Sequence, residues 1–400
     1  MDTTPKSNRI SIAFFGLRNA GKSTLVNAFT GQDIAIVSDT PGTTTDPVSK
    51  AMEILPLGPC LITDTAGLDD VGTLGEMRVK KTLRVLETAD IAVWVDANDG
   101  TATNASLREL FLEECRKHSI VVLDYRRGDS VDELKKKIAA VKLGDKVPGL
   151  LDGLIENGDR VICVCPIDES APKGRIILPQ VQLIRECLDR HIAAVVCQPE
   201  ELEGELVRNG ERVLVVTDSQ AFARVRDTLT SFSERNANQQ ANSIRLTSFS
   251  ILFARQKGDL GEFFAGVKAI GSLKDGDTVL VAEGCTHHRQ CNDIGTVKIP
   301  KALAKLSGKK LNFVFSSGTG FLLDTPNANA SAPKLIVHCG GCMLTRREVL
   351  RRIAASKAAG IPIVNYGILL AAASGLLSYE EDIVSAWVCL VGGERDGSAP

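Results

Sequence analysis

Two groups of residues in this chain of 400 have the types and spacing that chemistry requires. The first is Gly16-Leu-Arg-Asn-Ala-Gly-Lys-Ser23, which fits GxxxxGK(S/T) between a strand-like run and a helical one. Gly16 and Gly21 let the backbone N–H groups around Ala20 and into Thr24 turn toward a phosphate. The positive end of the following helix and the Lys22 ammonium add favourable charge, and the Ser23 hydroxyl can ligate Mg2+. Two later stretches extend this site. Pro41-Gly-Thr-Thr-Thr-Asp-Pro47 is a hydroxyl-rich loop, and its Thr43 and Thr44 are expected to close over a γ-phosphate and complete the Mg2+ shell. Asp64-Thr-Ala-Gly67 follows an apolar strand. Its carboxylate stands at a strand tip, where it can hold Mg2+, and the Gly67 N–H can meet the γ-phosphate. Lys22, Thr44 and Gly67 are the expected catalytic residues.

The second group is Cys285-Thr-His287-His288 and, much later, His338-Cys339-Gly-Gly-Cys342. Cys339 and Cys342, at i and i+3, can share one metal while two glycines let the loop wrap it. Cys285 ends one predicted strand and Cys339 another, and in a parallel sheet both ends fall on the edge where ligand sites form. Three thiolates would converge there. A Cys3His set suits structural zinc. An iron–sulfur cluster suits the same thiolates and would leave one iron open or weakly held. Spacing alone does not choose between them. The remaining cysteines at 60, 115, 163, 165, 187, 197 and 389 fall in apolar runs or helices and read as core. Arg346, Arg347, Arg351 and Arg352 follow the second motif at helical spacing and read as a solvated face.

In their order along the chain, the phosphate loop, threonine loop and Asp64–Gly67 resemble the nucleotide-sensing elements of Era/TrmE-like GTPases. Leu68 stands where Ras-like GTPases carry a water-orienting Gln. Asn19 resembles the Asn with which potassium-stimulated members hold K+, and it serves equally well as a loop-stabilising side chain. The guanine-reading Asn-Lys-x-Asp is degenerate: the chain has Leu123-Asp-Tyr-Arg-Arg-Gly-Asp129, where Asp129, before Asp124, can accept from guanine.

The cysteine motifs, Asp168-Glu-Ser-Ala-Pro-Lys-Gly, Val215-Val-Thr-Asp-Ser-Gln-Ala-Phe222 and Pro362-Ile-Val-Asn-Tyr-Gly367 together resemble the FeFe-hydrogenase maturation GTPase (HydF) family. The resemblance implies a GTPase that binds GTP or GDP with Mg2+ and carries a 4Fe-4S cluster. Cys285, Cys339 and Cys342 would be its ligands, with His287, His338, Cys291 or solvent at the fourth iron. It implies a homodimeric scaffold that receives a diiron precursor from radical-SAM maturases and delivers it to apo FeFe-hydrogenase. The rival reading is an Era-like regulatory GTPase with a structural zinc domain.

Composition agrees with a globular protein: 44% of residues are apolar and 24% charged. Lys plus Arg is 47 and Asp plus Glu 49, a net charge of -2, so no broad basic surface for nucleic acid is expected. No run of 18 apolar residues suggests a membrane span, and residues 1–9 lack the apolar core of a signal peptide. A cytoplasmic location is expected. The 11 cysteines are odd in number, which argues against a disulfide framework.

The elements that must position these groups alternate strand and helix throughout, which predicts mostly parallel sheets covered on both faces. Three α/β domains are expected: a P-loop GTPase domain over 1–170, a dimerisation domain over 171–272 and an iron–sulfur domain over 273–400. A single strand is expected from Ile244 to Phe253.

Overall fold

The computed structural model describes residues 9–31, 48–69, 73–96, 102–142, 148–167, 176–209, 212–218, 220–236, 243–284, 293–318, 321, 332–374 and 389–390. Thr43, Thr44, Cys285, His287, His288 and Cys291 lie outside them. The chain forms two compact units, 1–146 and 147–400.

The first unit holds β1 (Ile10–Phe15), α1 (Lys22–Thr30), β2 (Val48–Ile54), β3 (Gly58–Asp64), α2 (Thr73–Thr88), β4 (Ile91–Asp96), α3 (Ala102–Lys117), β5 (Val121–Arg126) and α4 (Val131–Ala139). Its sheet runs β2-β3-β1-β4-β5 and is parallel except for β2, which pairs antiparallel with β3. β1 and β4 are apolar on both faces because both faces are covered. Ile12 and Phe14 pack with Leu25 and Phe29 of α1 on one side. Ala13, Phe15 and Trp94 pack with Phe111 of α3 on the other. The parallel strands end on one edge, so the loops after β1, β3 and β5 share it.

The second unit contains β6 (Arg160–Val164), α5 (Leu178–Asp189), β7 (Ala194–Cys197), α6 (Leu202–Asn209), β8 (Arg212–Thr217), α7 (Phe222–Arg235), β9 (Ser243–Ser248) and α8 (Phe249–Lys257). It continues through α9 (Leu260–Ala269), β10 (Thr278–Ala282), α10 (Ile299–Ser307), β11 (Asn312–Ser316), β12 (Leu335–His338), α11 (Arg346–Ala358), β13 (Ile363–Asn365), α12 (Tyr366–Ala373) and β14 (Cys389–Leu390). One sheet runs β14-β9-β8-β6-β7, with β14 antiparallel; the other, β11-β10-β12-β13, is parallel throughout. One core joins them: Ile162, Val215 and Leu246 belong to the same cluster as Val279, Val281 and Val337.

Three expectations change. The strand at 160–164, assigned from sequence to the GTPase domain, pairs with β7 and β8 in the second unit. The first unit therefore ends near 146 rather than 170. The signal was Gly144-Asp-Lys-Val-Pro-Gly149, a turn-forming break passed over because strand–helix alternation continues across it. The run from Ile244 to Phe253 divides, β9 giving way to α8 at a Ser248 cap whose Oγ accepts from Ile251 N. α8 is buried nearly all round, so no helical period was legible. Finally, Arg352 is not on a solvated face: it is 0% exposed, as shown below.

Candidate functional site

The phosphate loop is shaped by its backbone. Gly16 has φ +150°, Gly21 φ +92° and Asn19 φ +58°, all in regions that favour glycine or a short polar residue. The left-handed conformation at Asn19 is one reason for an Asn there. A Cβ on Gly16 would stand 2.5 Å from the Val95 carbonyl oxygen, which holds the loop against the tip of β4. Ala20 is buried beneath the loop, and Thr24 is exposed on the first turn of α1.

Lys22 is buried and donates to Leu17 O at 2.6 Å and Gly16 O at 3.3 Å, so its ammonium lies inside the loop where a phosphate is cradled. Ser23 Oγ donates to Asp64 Oδ2 at 2.6 Å. Asp64 is 0% exposed. Burial pushes its carboxyl up, against the Ser23 hydrogen bond and the Lys22 charge. Its other oxygen, Oδ1, is buried without a hydrogen-bond partner. A buried carboxylate oxygen left over beside a serine hydroxyl is the donor pair that a magnesium ion takes. Gly67 lies against the loop: a Cβ there would meet Arg18 N at 2.7 Å, and the Leu68 N–H donates to Gly16 O at 3.3 Å.

Toward the base side the arrangement is looser. Asp124 is held by Arg108 through bonds of 2.8 and 3.0 Å. Asp129 accepts from its own turn, at Arg126 N, 2.9 Å away, while remaining at the exposed tip of β5. Of the two, Asp129 stands on the sheet edge that carries the phosphate loop.

The second site follows from strand order. In the β11-β10-β12-β13 sheet the chain leaves β10 toward β11 on one side, then enters β12 on the other. The crevice between the carboxyl ends of β10 and β12 is a topological switch point, where open α/β sheets bind ligands. Ala282 pairs with His338, so Glu283-Gly284 and Cys339 leave neighbouring strands on that edge. The Cys339 N–H donates to Ala282 O at 2.9 Å, and the Gly284 N–H donates to the Cys339 sulfur at 3.1 Å. The residue before Cys285 thus touches the Cys339 thiol. Cys339 and Cys342 are both half-buried. Among the described residues, which omit Cys285, no three metal-ligating side chains come together.

His338 is committed elsewhere. It is 1% exposed; Nδ1 meets Cys339 O at 2.7 Å and Nε2 meets Arg352 Nη1 at 3.2 Å. A carbonyl requires a donor and a guanidinium an acceptor, so the ring is neutral with its proton on Nδ1. Burial and the Arg352 charge lower its pKa to about 4, consistent with that form. Arg352 also donates to Glu348 Oε1 at 2.6 Å and Gly318 O at 3.1 Å, with its guanidinium over the Phe321 ring.

Lys257 was not singled out by sequence. It is the last residue of α8, 3% exposed, and donates to Gly341 O at 3.0 Å, Cys342 O at 3.3 Å and Leu344 O at 3.1 Å. Burial draws its pKa down to about 8, opposed by the Cys342 and Cys339 sulfurs. No motif marks a lone lysine at a helix end. Only the fold brings it to the loop. Away from this loop, burial pushes Cys60 to about 11 and Cys115 to about 12, the behaviour of inert core thiols.

Comparison with known proteins divides the chain the same way. Residues 11–125 match the family model of the 50S ribosome-binding GTPase. Residues 150–258 match the hydrogen maturase F dimerization domain, and 261–380 its tetramerization domain. The tRNA modification GTPase MnmE of Bacteroides thetaiotaomicron is 33% identical over 132 residues, 32% of this chain and 28% of that protein. The GTPase Der of Xylella fastidiosa is 35% identical over 153 residues, 35% of this chain and 33% of Der. The chain therefore spans about a third of the length of these curated relatives. A crystal structure of Aquifex aeolicus Era bound to GDP and AlF4− is 15% identical, covering 77% of this chain and 94% of that one, with a TM-score of 0.26. With a GTPase domain of the Era/TrmE kind followed by both hydrogen maturase F domains, the chain belongs to the HydF family of FeFe-hydrogenase maturation GTPases.

Proposed function

We propose that this protein hydrolyses GTP and serves as a scaffold that carries a 4Fe-4S cluster and delivers the diiron precursor of the H-cluster to apo FeFe-hydrogenase. The observation that carries the reading is the Gly284 N–H on the Cys339 sulfur at a topological switch point. Cys285 follows Gly284 in sequence and Cys342 lies three residues past Cys339, in a chain whose other unit has a phosphate loop.

In the GTPase unit, nucleotide binding moves the Lys22 ammonium from the loop carbonyls onto the phosphate oxygens. Mg2+ would be held by Ser23, Asp64 through its Oδ1, and Thr44, and would supply positive charge against that developing on the phosphates. Asn19 would hold a K+ ion in the role an arginine finger has elsewhere, and Thr43 would close over the γ-phosphate. Gly67 offers its N–H to the γ-phosphate, so its region and the threonine loop order together and relax on hydrolysis. Asp129 reads guanine without the usual Asn, which relaxes base selectivity.

At the second site Cys285, Cys339 and Cys342 hold the cluster. A cluster with one iron free of thiolate supplies an attachment point for a precursor. His338, with both ring nitrogens engaged, holds the Cys339 carbonyl instead of that iron. His287, Cys291 or solvent is then left for the fourth position. The dimer forms through the outer strand β7, which pairs only with β6 among the described residues and exposes Val196 at 47%.

Delivery is tested by loading the reconstituted protein with a synthetic diiron complex and adding apo-hydrogenase. Hydrogen evolution that depends on the loaded protein supports the reading. A colourless protein with one zinc per chain, unable to activate the hydrogenase, replaces it with the structural-zinc reading.

A further inference from the structure

The buried ammonium of Lys257 lies on the loop that carries two of the candidate cluster ligands. Its three acceptors are main-chain carbonyls of one segment, those of Gly341, Cys342 and Leu344. A neutral amine has two N–H donors and an ammonium three, so three carbonyl acceptors describe the charged form. Among the described residues no carboxylate pairs with it. Its other neighbour is the Phe253 ring, 5.5 Å from Nζ. A buried cation without a counter-anion is costly, by several kcal/mol. Carbonyl dipoles offset part of this, and an anion in the loop would offset more.

The same contact sets the loop's backbone. In a trans peptide the C=O and the next N–H point to opposite sides. With the carbonyls of Gly341, Cys342 and Leu344 drawn onto Lys257, the N–H groups of Cys342, Met343 and Thr345 turn away from it. Gly341 takes φ +65°, which the tight turn between the two cysteines requires. A second bond from Arg346 Nη1 to Gln256 O ties the start of α11 to the end of α8. Thr345 caps α11 by accepting from Glu348 N. The CxxC loop is therefore fixed from outside by α8, an element of the region matching the dimerization domain, across the boundary to the region matching the tetramerization domain.

We propose that Lys257 is the positioning residue of this loop: it holds Gly341–Leu344 in the ligating conformation and places a fixed positive charge behind the cluster, which makes the cluster easier to reduce. The inference rests on the cluster reading above and adds to it a determinant of redox potential. Hydrogen bonding and nearby charge are the protein's means of tuning such a centre.

The test uses the full chain, reconstituted with iron and sulfide under anaerobic conditions, as wild type, Lys257→Met, Lys257→Gln and Lys257→Arg. Circular dichroism reports folding, and EPR-monitored redox titration gives the midpoint potential. The expected result is a downward shift in potential and a changed EPR line shape in each folded neutral variant, with Lys257→Arg returning both toward wild type. Lys257→Gln keeps hydrogen-bond donors, so it supplies the comparison if Lys257→Met does not fold. Wild-type potential and line shape in a folded neutral variant would overturn the proposal. Failure of the wild type itself to take up iron would instead overturn the cluster reading on which it stands.

Discussion

Single side chains decide the chemistry at both ends of the chain. Lys22 bonds the loop carbonyls, Ser23 bonds Asp64 Oδ2, and Asp64 Oδ1 is buried without a hydrogen-bond partner. Gly67 is close-packed against Arg18 of the phosphate loop. Gly67→Ala would drive a Cβ into Arg18 N, 2.7 Å away, a main-chain atom that cannot turn aside. Overpacking of this kind costs about 1–3 kcal/mol. GTP hydrolysis should fall about tenfold or more, with GDP affinity changed much less, measured by phosphate release and by titration with a fluorescent GDP. At the other end, His338→Gln offers a donor and an acceptor in place of the imidazole. Because His338 supports the Cys339 carbonyl, the reconstituted variant should keep its iron and show an EPR spectrum without loss of a ligand. At this scale much was legible in advance. The phosphate motif, Asp64 and the cysteine pairs have fixed spacings that physics requires. Lys257 and the Arg352–His338 pair were hidden, because they join residues 84 and 14 positions apart that only the fold brings near.

Elements position those side chains through their ends. β6, β8 and β9 are clamped at their starts by Asp159, which accepts from Arg212 at 2.7 Å and also meets Arg245. Burial pushes the Asp159 carboxyl up, but the Glu156 N–H and the two arginines outweigh it and hold it below the usual value. A depressed folded pKa means stability present above the unfolded value of about 4 and lost as pH falls below it toward the folded value. The second unit should therefore lose stability below about pH 4, and Asp159→Asn should remove that part of the acid sensitivity. The variant should also be less stable at neutral pH, because Arg245 loses its carboxylate while Arg212 keeps only Glu156, read by denaturant unfolding. Ser248→Ala removes the cap that separates β9 from α8 and should cost about 1 kcal/mol. Element types were read correctly wherever a period or an apolar run was clear, as at β1, β8, α9 and β10. β2 was missed because Val48-Ser-Lys-Ala-Met-Glu-Ile54 lies at a sheet edge and is partly exposed on both faces. α4 was not expected, although Ser130 caps it by accepting from Glu133 N.

Two compact units make up the molecule, with the phosphate loop in one and the Cys339-Gly-Gly-Cys342 motif in the other. The second unit carries both of its sheets on one shared core, so the β7 edge and the cysteine edge belong to one body. Among the described residues no helix is long and apolar enough to cross a membrane. An outer strand with an exposed valine is an edge that a second copy can extend, and a lysine there blocks pairing. Val196→Lys should convert the dimer to monomer, read by light scattering, while leaving iron uptake in place. The domain boundary was the least legible feature at this scale. Strand–helix alternation looks alike on both sides of residue 146, and only pairing of β6 with β7 and β8 shows which sheet it joins. The most direct test of the whole account is EPR with iron and sulfide analysis of the reduced, anaerobically reconstituted protein beside Cys285→Ala, Cys339→Ala and Cys342→Ala. The expected result is about four irons and four sulfides per wild-type chain, with the signal lost in each variant. A full wild-type signal from Cys285→Ala, or zinc in place of iron, would contradict it.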